Sequence, residues 1–313
     1  SGSTSQEGPD GRSTTTSLSS SAISVCPSLA EADNPPSGTN KNWNPQAEIT
    51  PIPIGRADRS GQSNYRRHRR GPDLRLLVLQ HIECEHPAQL RHFLARDGID
   101  WTAVELDEGE PIPPLEGFDA MWVMGGPMDV WDVEEHPWLL DEKEAIRTWV
   151  VDLGRPFLGL CLGHQLLADA LGGTCGHQQP PEIGVLEVAL TPDGLNDPIF
   201  NGMPTVQRAL QWHSVQVLEP PDGAVVLAAS DVCPIQAMRV GRHAWSMQYH
   251  VEVEPDTVTN WGDVPAYRTA LESTLGPTAL VGLIAAADQH MNDFVTNAEC
   301  LYDNFMEAAR QAS

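Results

Sequence analysis

The run P-F-L-G-L-C-L-G-H-Q-L-L-A-D-A-L-G-G at residues 156–173 constrains the fold more than any other part of the chain. Its apolar start, residues 157–160, predicts a buried strand, and a helical pattern begins within two residues of Cys161 and closes at Gly172-Gly173. The stretch is therefore expected to form a strand, a sharp turn and a helix. Glycines two residues before and two after Cys161 remove side chains where a tight turn would crowd them. This is the arrangement of a nucleophile elbow, with sulfur in place of hydroxyl. The helix that follows would point its unpaired N–H groups and positive dipole end at the sulfur, so Cys161 is expected to be a nucleophile rather than a packing residue.

A nucleophile of this kind needs a base to take its proton and return it to the leaving group. Histidine is the side chain whose chemistry suits that work near neutrality. Of the 11 histidines, His250 is the best placed, because it closes the apolar segment Trp245-Ser246-Met247-Gln248-Tyr249 and precedes Val251 and Glu252. Residues i and i+2 of an extended segment share a side, so Glu252 can orient the ring, with Glu254 as the competing orienter.

The rest of the chain supplies a scaffold for such a site. Residues 74–80, 101–106, 120–124 and 157–160 read as apolar strands, and 87–97 and 137–151 as helices between them, with Trp138 as an early core contact. This alternation predicts an α/β fold: a doubly wound, mostly parallel sheet with helices on both faces. Right-handed crossovers would bring the C-terminal strand ends to one edge, where such folds place their sites. After Gly173 the segments 184–190, 209–212, 225–229, 235–240 and 244–249 predict an antiparallel strand extension. Residues 255–275 and 277–309 read as helices packed on the core.

Composition separates this domain, residues 74–313, from what precedes it. Residues 1–73 are rich in Ser, Thr, Pro, Gly and Asn, end in the basic cluster Arg66-Arg67-His68-Arg69-Arg70, and are expected to be a disordered tail. The chain holds 43 acidic and 19 basic residues, for a net charge of -24; the tail contributes only seven and eight of these, so the acidity belongs to the domain. That charge argues against nucleic acid or an anionic membrane as partner. No window of about 18 apolar residues occurs, and no secretory pattern opens the chain. Six scattered cysteines, without C-x-x-C spacing, suggest neither a metal site nor a disulfide framework; a reduced, cytoplasmic setting is expected.

G-L-C-L-G-H-Q at 159–165, G-G-P at 125–127 and Q-Y-H-V-E at 248–252 together resemble class I (triad-type) glutamine amidotransferase domains over residues 74–252. The resemblance implies a flavodoxin-like α/β fold of that class and no cofactor. It implies that Cys161 attacks the side-chain amide of glutamine, forming a γ-glutamyl thioester and releasing ammonia, with His250 as acid and base and Glu252 as its orienter. The backbone N–H groups of Gly126 and Leu162 would form the oxyanion hole. Gln165, Gly125, His213 and Ser214 would contact substrate, and His164 and His213 would form the site wall. Val215 stands where an acidic residue is common in the family, so a substrate-side charge is missing from that position. No G-x-x-x-x-G-K-[ST] loop is present, so either a separate synthetase or synthase subunit accepts the ammonia or the chain acts alone. Two other readings remain: a stand-alone γ-glutamyl peptidase or hydrolase, and a non-catalytic binding or regulatory module with the same fold.

Overall fold

The computed structural model describes residues 74–312; the expected tail and its basic cluster lie outside the described residues. The strands are β1 (Arg75–Gln80), β2 (Asp100–Glu105), β3 (Ala120–Val123), β4 (Phe157–Leu160), β5 (Thr174–Leu190), β6 (Val206–Glu219), β7 (Val225–Ala229), β8 (Ala237–Val240) and β9 (Ala244–Met247). The helices are α1 (Gln89–Asp97), α2 (Trp138–Arg147), α3 (Leu162–Ala170), α4 (Thr257–Asp263), α5 (Pro265–Leu275) and α6 (Ala279–Ala312). The strands form one sheet in the order β2-β1-β3-β4-β9-β8-β7-β5-β6. Its first five members run parallel and the remaining pairings are antiparallel.

The parallel strands are apolar throughout because both of their faces are covered. In β1, Leu76 and Val78 pack on one side with Leu90 and Phe93 of α1 and Phe305 of α6, whereas Leu77 and Leu79 pack on the other with Ile146 of α2 and Leu166 of α3. A third cluster joins Leu210 and Trp212 of β6 to Trp261, Tyr267 and Leu271 of α4 and α5 and to Phe294 of α6. Helix α6 thus begins over the antiparallel extension and ends over the parallel core. Among the described residues no single helix is long and apolar enough to cross a membrane.

The antiparallel part differs from the sequence expectation in extent. β5 starts at Thr174 rather than 184, and β6 covers 206–219 rather than 209–212. The early half of β5 contains Gln-Gln-Pro-Pro and a register shift between His177 and Glu182, which breaks the alternation that marks a strand. Trp138, expected as an early core contact, is half-buried at the start of α2, packs against the cluster that contains Leu139 and Ile146, and stacks on His81 at 5.6 Å between ring centroids.

Candidate active site

Strand β4 ends at Leu160 and α3 begins at Leu162, so Cys161 alone makes the turn. It does so at φ 50° and ψ -101°, a backbone conformation that costs an L residue about 1–3 kcal/mol. The surrounding structure enforces it by close backbone approach. A Cβ on Gly159 would lie 2.4 Å from the carbonyl oxygen of Gly163, and one on Gly163 would lie 2.2 Å from that of Val123. The N–H of Cys161 donates to Met247 O at 2.9 Å and that of Gly163 to Met124 O at 3.1 Å, tying the elbow to β9 and to the end of β3.

His250 reaches the same place just beyond β9. Its backbone is held by a two-bond bridge with Leu210 of β6, at 2.9 and 3.0 Å. Nδ1 lies 2.5 Å from Glu252 Oε1, and because a carboxylate only accepts, the proton sits on Nδ1. Glu252 Oε2 accepts from the Val251 N–H at 2.9 Å, so the carboxylate is itself fixed. Trp261 of α4 packs edge-to-face against the ring, 4.6 Å between centroids. Burial by itself would lower the pKa of His250, but the Glu252 carboxylate and the adjacent Cys161 outweigh it and hold the ring well above the ordinary value. Nε2 is buried with no aligned hydrogen-bond partner, and Cys161 is the near group on that side. Such contacts tighten when substrate arrives. Glu254, the competing orienter, faces away and pairs with Arg91 at 2.8 Å and His92 at 2.6 Å.

A cavity of about 70 Å³ opens beside Cys161, with Gly126, Gln165, His213, Ser214 and Val215 in its wall. A Cβ on Gly126 would meet Leu162 Cδ2 at 2.9 Å, so the two segments expected to supply the oxyanion hole are in contact. Leu162 opens α3, where an N–H has no acceptor within the helix. Gln165 uses its amide nitrogen internally, donating to Val215 O and Gln248 Oε1, both at 3.2 Å. His213 sits between Val215 O at 2.9 Å and Glu182 Oε2 at 3.1 Å. Two expectations are corrected. Gly125 does not line the cavity: its carbonyl accepts from His81 Nδ1 at 2.7 Å and its Cα packs on Glu85. His164 is fully buried behind the elbow, bonded to Ser246 Oγ and Ile235 O, and burial pushes its pKa down to about 3, so it stays neutral. Among the described residues no group of His, Cys, Asp and Glu is arranged to hold a metal ion. A larger cavity, about 550 Å³, holds none of these groups, and its Arg239 and Asp197 neutralise each other at 2.6 Å.

The family model for glutamine amidotransferase class-I matches residues 84–260, which include Cys161, His250 and Glu252. The chain belongs to the class-I glutamine amidotransferase family. It is an enzyme of that type, similar at 36% identity over 165 residues to the glutamine-hydrolyzing GMP synthase of Aeropyrum pernix, a match covering 51% of this chain and 30% of that protein. This amidotransferase thus spans less than a third of that relative's length. It is 32% identical to a glutamine-hydrolyzing GMP synthase subunit of Sulfolobus acidocaldarius, over 53% of this chain and 85% of the relative. A glutamine amidotransferase from Thermotoga maritima superposes with a TM-score of 0.67 at 26% identity, covering 75% of this chain and 99% of the other.

Several groups around this amidotransferase's cysteine go beyond the residues expected at the site. Gln248, the first residue of Q-Y-H-V-E, donates to Cys161 Sγ at 3.5 Å and shares a side of an extended segment with His250. Glu85 is buried near His250, and burial pushes its carboxyl up to about 7 despite the pull of His250 and the Tyr267 hydroxyl. His81 bridges Gly125 O and Glu142 Oε1 through its two ring nitrogens; burial opposes the charged form, but Glu142 outweighs it and raises the pKa of the ring. Tyr267 lines the cavity from α5, beyond the family-matched stretch.

Proposed function

We propose that Cys161 is the nucleophile, His250 the acid and base, and Glu252 its orienter in the hydrolysis of the glutamine side-chain amide. Cys161 Sγ attacks the amide carbon as its proton passes to His250 Nε2, the one ring nitrogen that Glu252 leaves free. The charge developing on the amide oxygen is met by the N–H groups of Gly126 and Leu162, fixed donors that need no reorganisation. His250 then protonates the departing nitrogen, ammonia leaves, and a γ-glutamyl thioester remains on Cys161. Water, deprotonated by His250, attacks the thioester and releases glutamate. Gln165, Ser214 and His213 form the substrate-side wall, and residues 74–313 constitute the amidotransferase domain.

The observation that carries this reading is the convergence of a strained cysteine at a helix start with a histidine locked by a carboxylate. Relatives named as glutamine-hydrolyzing subunits of GMP synthase support delivery of the ammonia to a separate synthetase. The five cysteines among the described residues are free, which supports action in a reducing, cytoplasmic setting. Release of ammonia and glutamate from glutamine, lost in Cys161→Ala, tests the reading; turnover that survives this substitution excludes it, because no other group at the elbow can form the thioester.

A further inference from the structure

An α-amino acid carries its ammonium into whatever cavity takes its side chain, and a confined ammonium needs acceptors or a counter-charge. The carboxylates around Cys161 are nearly all occupied. Glu252 holds His250 and the Val251 N–H, Glu85 holds Tyr267, and Glu182 accepts from His213, Ser230 and Gln236. Val215 offers only an apolar side chain, and its carbonyl already accepts from Gln165 and His213.

Asp129 differs from all of these. It is the one carboxylate lining the cavity that contains Cys161, and it stands three residues after Gly126 on the same loop. Its backbone N–H donates to Asp132 Oδ2 at 2.8 Å, but its own carboxylate has no hydrogen-bond or ion-pair partner among the described residues. It is half-buried, and burial together with the neighbouring Asp132 raises its pKa, with only His177 acting the other way. A cation is what this position lacks. Two uncommitted acceptors border the same cavity: the Ser214 hydroxyl, and the Gln165 carbonyl oxygen, whose amide nitrogen is engaged elsewhere.

We propose that Asp129 is the counter-ion for the α-ammonium of the substrate, making it the residue that selects α-amino acids at this site. The proposal rests on the glutamine-hydrolysing reading above and adds the group that distinguishes glutamine from a simple γ-amide. Placing the carboxylate on the loop that also supplies the Gly126 N–H lets one rigid segment set both the α-end and the amide end of the substrate. A charge-assisted hydrogen bond of this kind corresponds to about 10- to 100-fold in kcat/KM.

The test compares glutamine with glutaramate, the same amide without the α-ammonium, as substrates of the full chain and its Asp129→Asn and Asp129→Glu variants, with thermal melts to verify folding. Asp129→Asn is expected to lose about 10- to 100-fold in kcat/KM on glutamine, mostly through KM, and to leave glutaramate turnover unchanged. Asp129→Glu should recover part of the loss. An equal loss on both amides would assign Asp129 a structural role and overturn the proposal, as would an unaltered KM for glutamine. A wild-type chain silent on glutamine overturns the functional reading and this proposal together, and active wild type with indifferent variants overturns this proposal alone.

Discussion

The hydroxyl of Tyr267 on α5 donates to Glu85 Oε1 at 2.5 Å, joining two positions 182 residues apart across the back of the cavity that holds Cys161. The bond fastens a helix beyond the family-matched stretch to the loop after β1, near enough to His250 for Glu85 to feel its charge. Glu85 is itself wedged against Gly125, where an added Cβ would meet its Oε2 at 2.6 Å. Removing the hydroxyl with Tyr267→Phe takes away a bond that favours the ionised carboxyl, so the pKa of Glu85 is expected to rise further above 7. A kcat/KM profile over pH 5–9 reads this as an upward shift of its acid-side limb; a superimposable profile would separate Glu85 from turnover.

Glu85 also makes stability depend on pH. Its carboxyl titrates near 7 when folded and near the ordinary 4.5 when unfolded, so between those values the folded chain holds a proton that the unfolded chain does not. Stability from this group therefore falls as pH rises from about 4.5 to about 7, by on the order of 3 kcal/mol. Glu85→Gln cannot titrate. The melting temperature of this variant relative to wild type is expected to be markedly more favourable at pH 8 than at pH 5, and a constant difference would contradict the account.

The Glu252 carboxylate sustains the raised pKa of His250, so Glu252→Gln should lower the pH at which the ring titrates, visible in its NMR resonances. His250→Ala should reduce kcat by about 10²- to 10⁴-fold. Because the two act as a unit, the double variant is expected to be little worse than His250→Ala alone; additive losses would show independent roles.

Gly126→Ala tests the oxyanion hole. The new methyl would meet Met128 Sδ at 2.8 Å and His81 Cβ and Leu162 Cδ2 at 2.9 Å, forcing the loop away from α3. Loss of one aligned donor is expected to lower kcat by about 10²- to 10³-fold with a smaller change in KM. Retained kcat would place the oxyanion elsewhere.

Gly163→Ala addresses the elbow itself, since its methyl would collide with the Val123 carbonyl at 2.2 Å and neither side is a flexible side chain. Overpacking against backbone is expected to destabilise the fold by about 1–3 kcal/mol or more, seen as a lower urea midpoint. An unchanged midpoint would mean that the elbow can relax.

What the chain determines by itself is local. The elbow at Cys161, the parallel strands and the His250-x-Glu252 spacing are legible because apolar runs, glycine placement and the i, i+2 rule act over a few residues. The tertiary structure decides what depends on distant partners. The early half of β5 pairs with β6 although its Gln-Gln-Pro-Pro sequence shows no alternation, because β6 supplies the pairing from outside. Glu252 rather than Glu254 is hydrogen-bonded to His250, because Arg91 and His92 of α1 claim the latter. Tyr267 and Asp129 share a cavity with the cysteine, and Glu85 reaches Tyr267, only because the sheet gathers its C-terminal strand ends at one edge and α5 folds over them. Burial, which sets their charge states, is a property of that assembly and not of any short stretch of sequence.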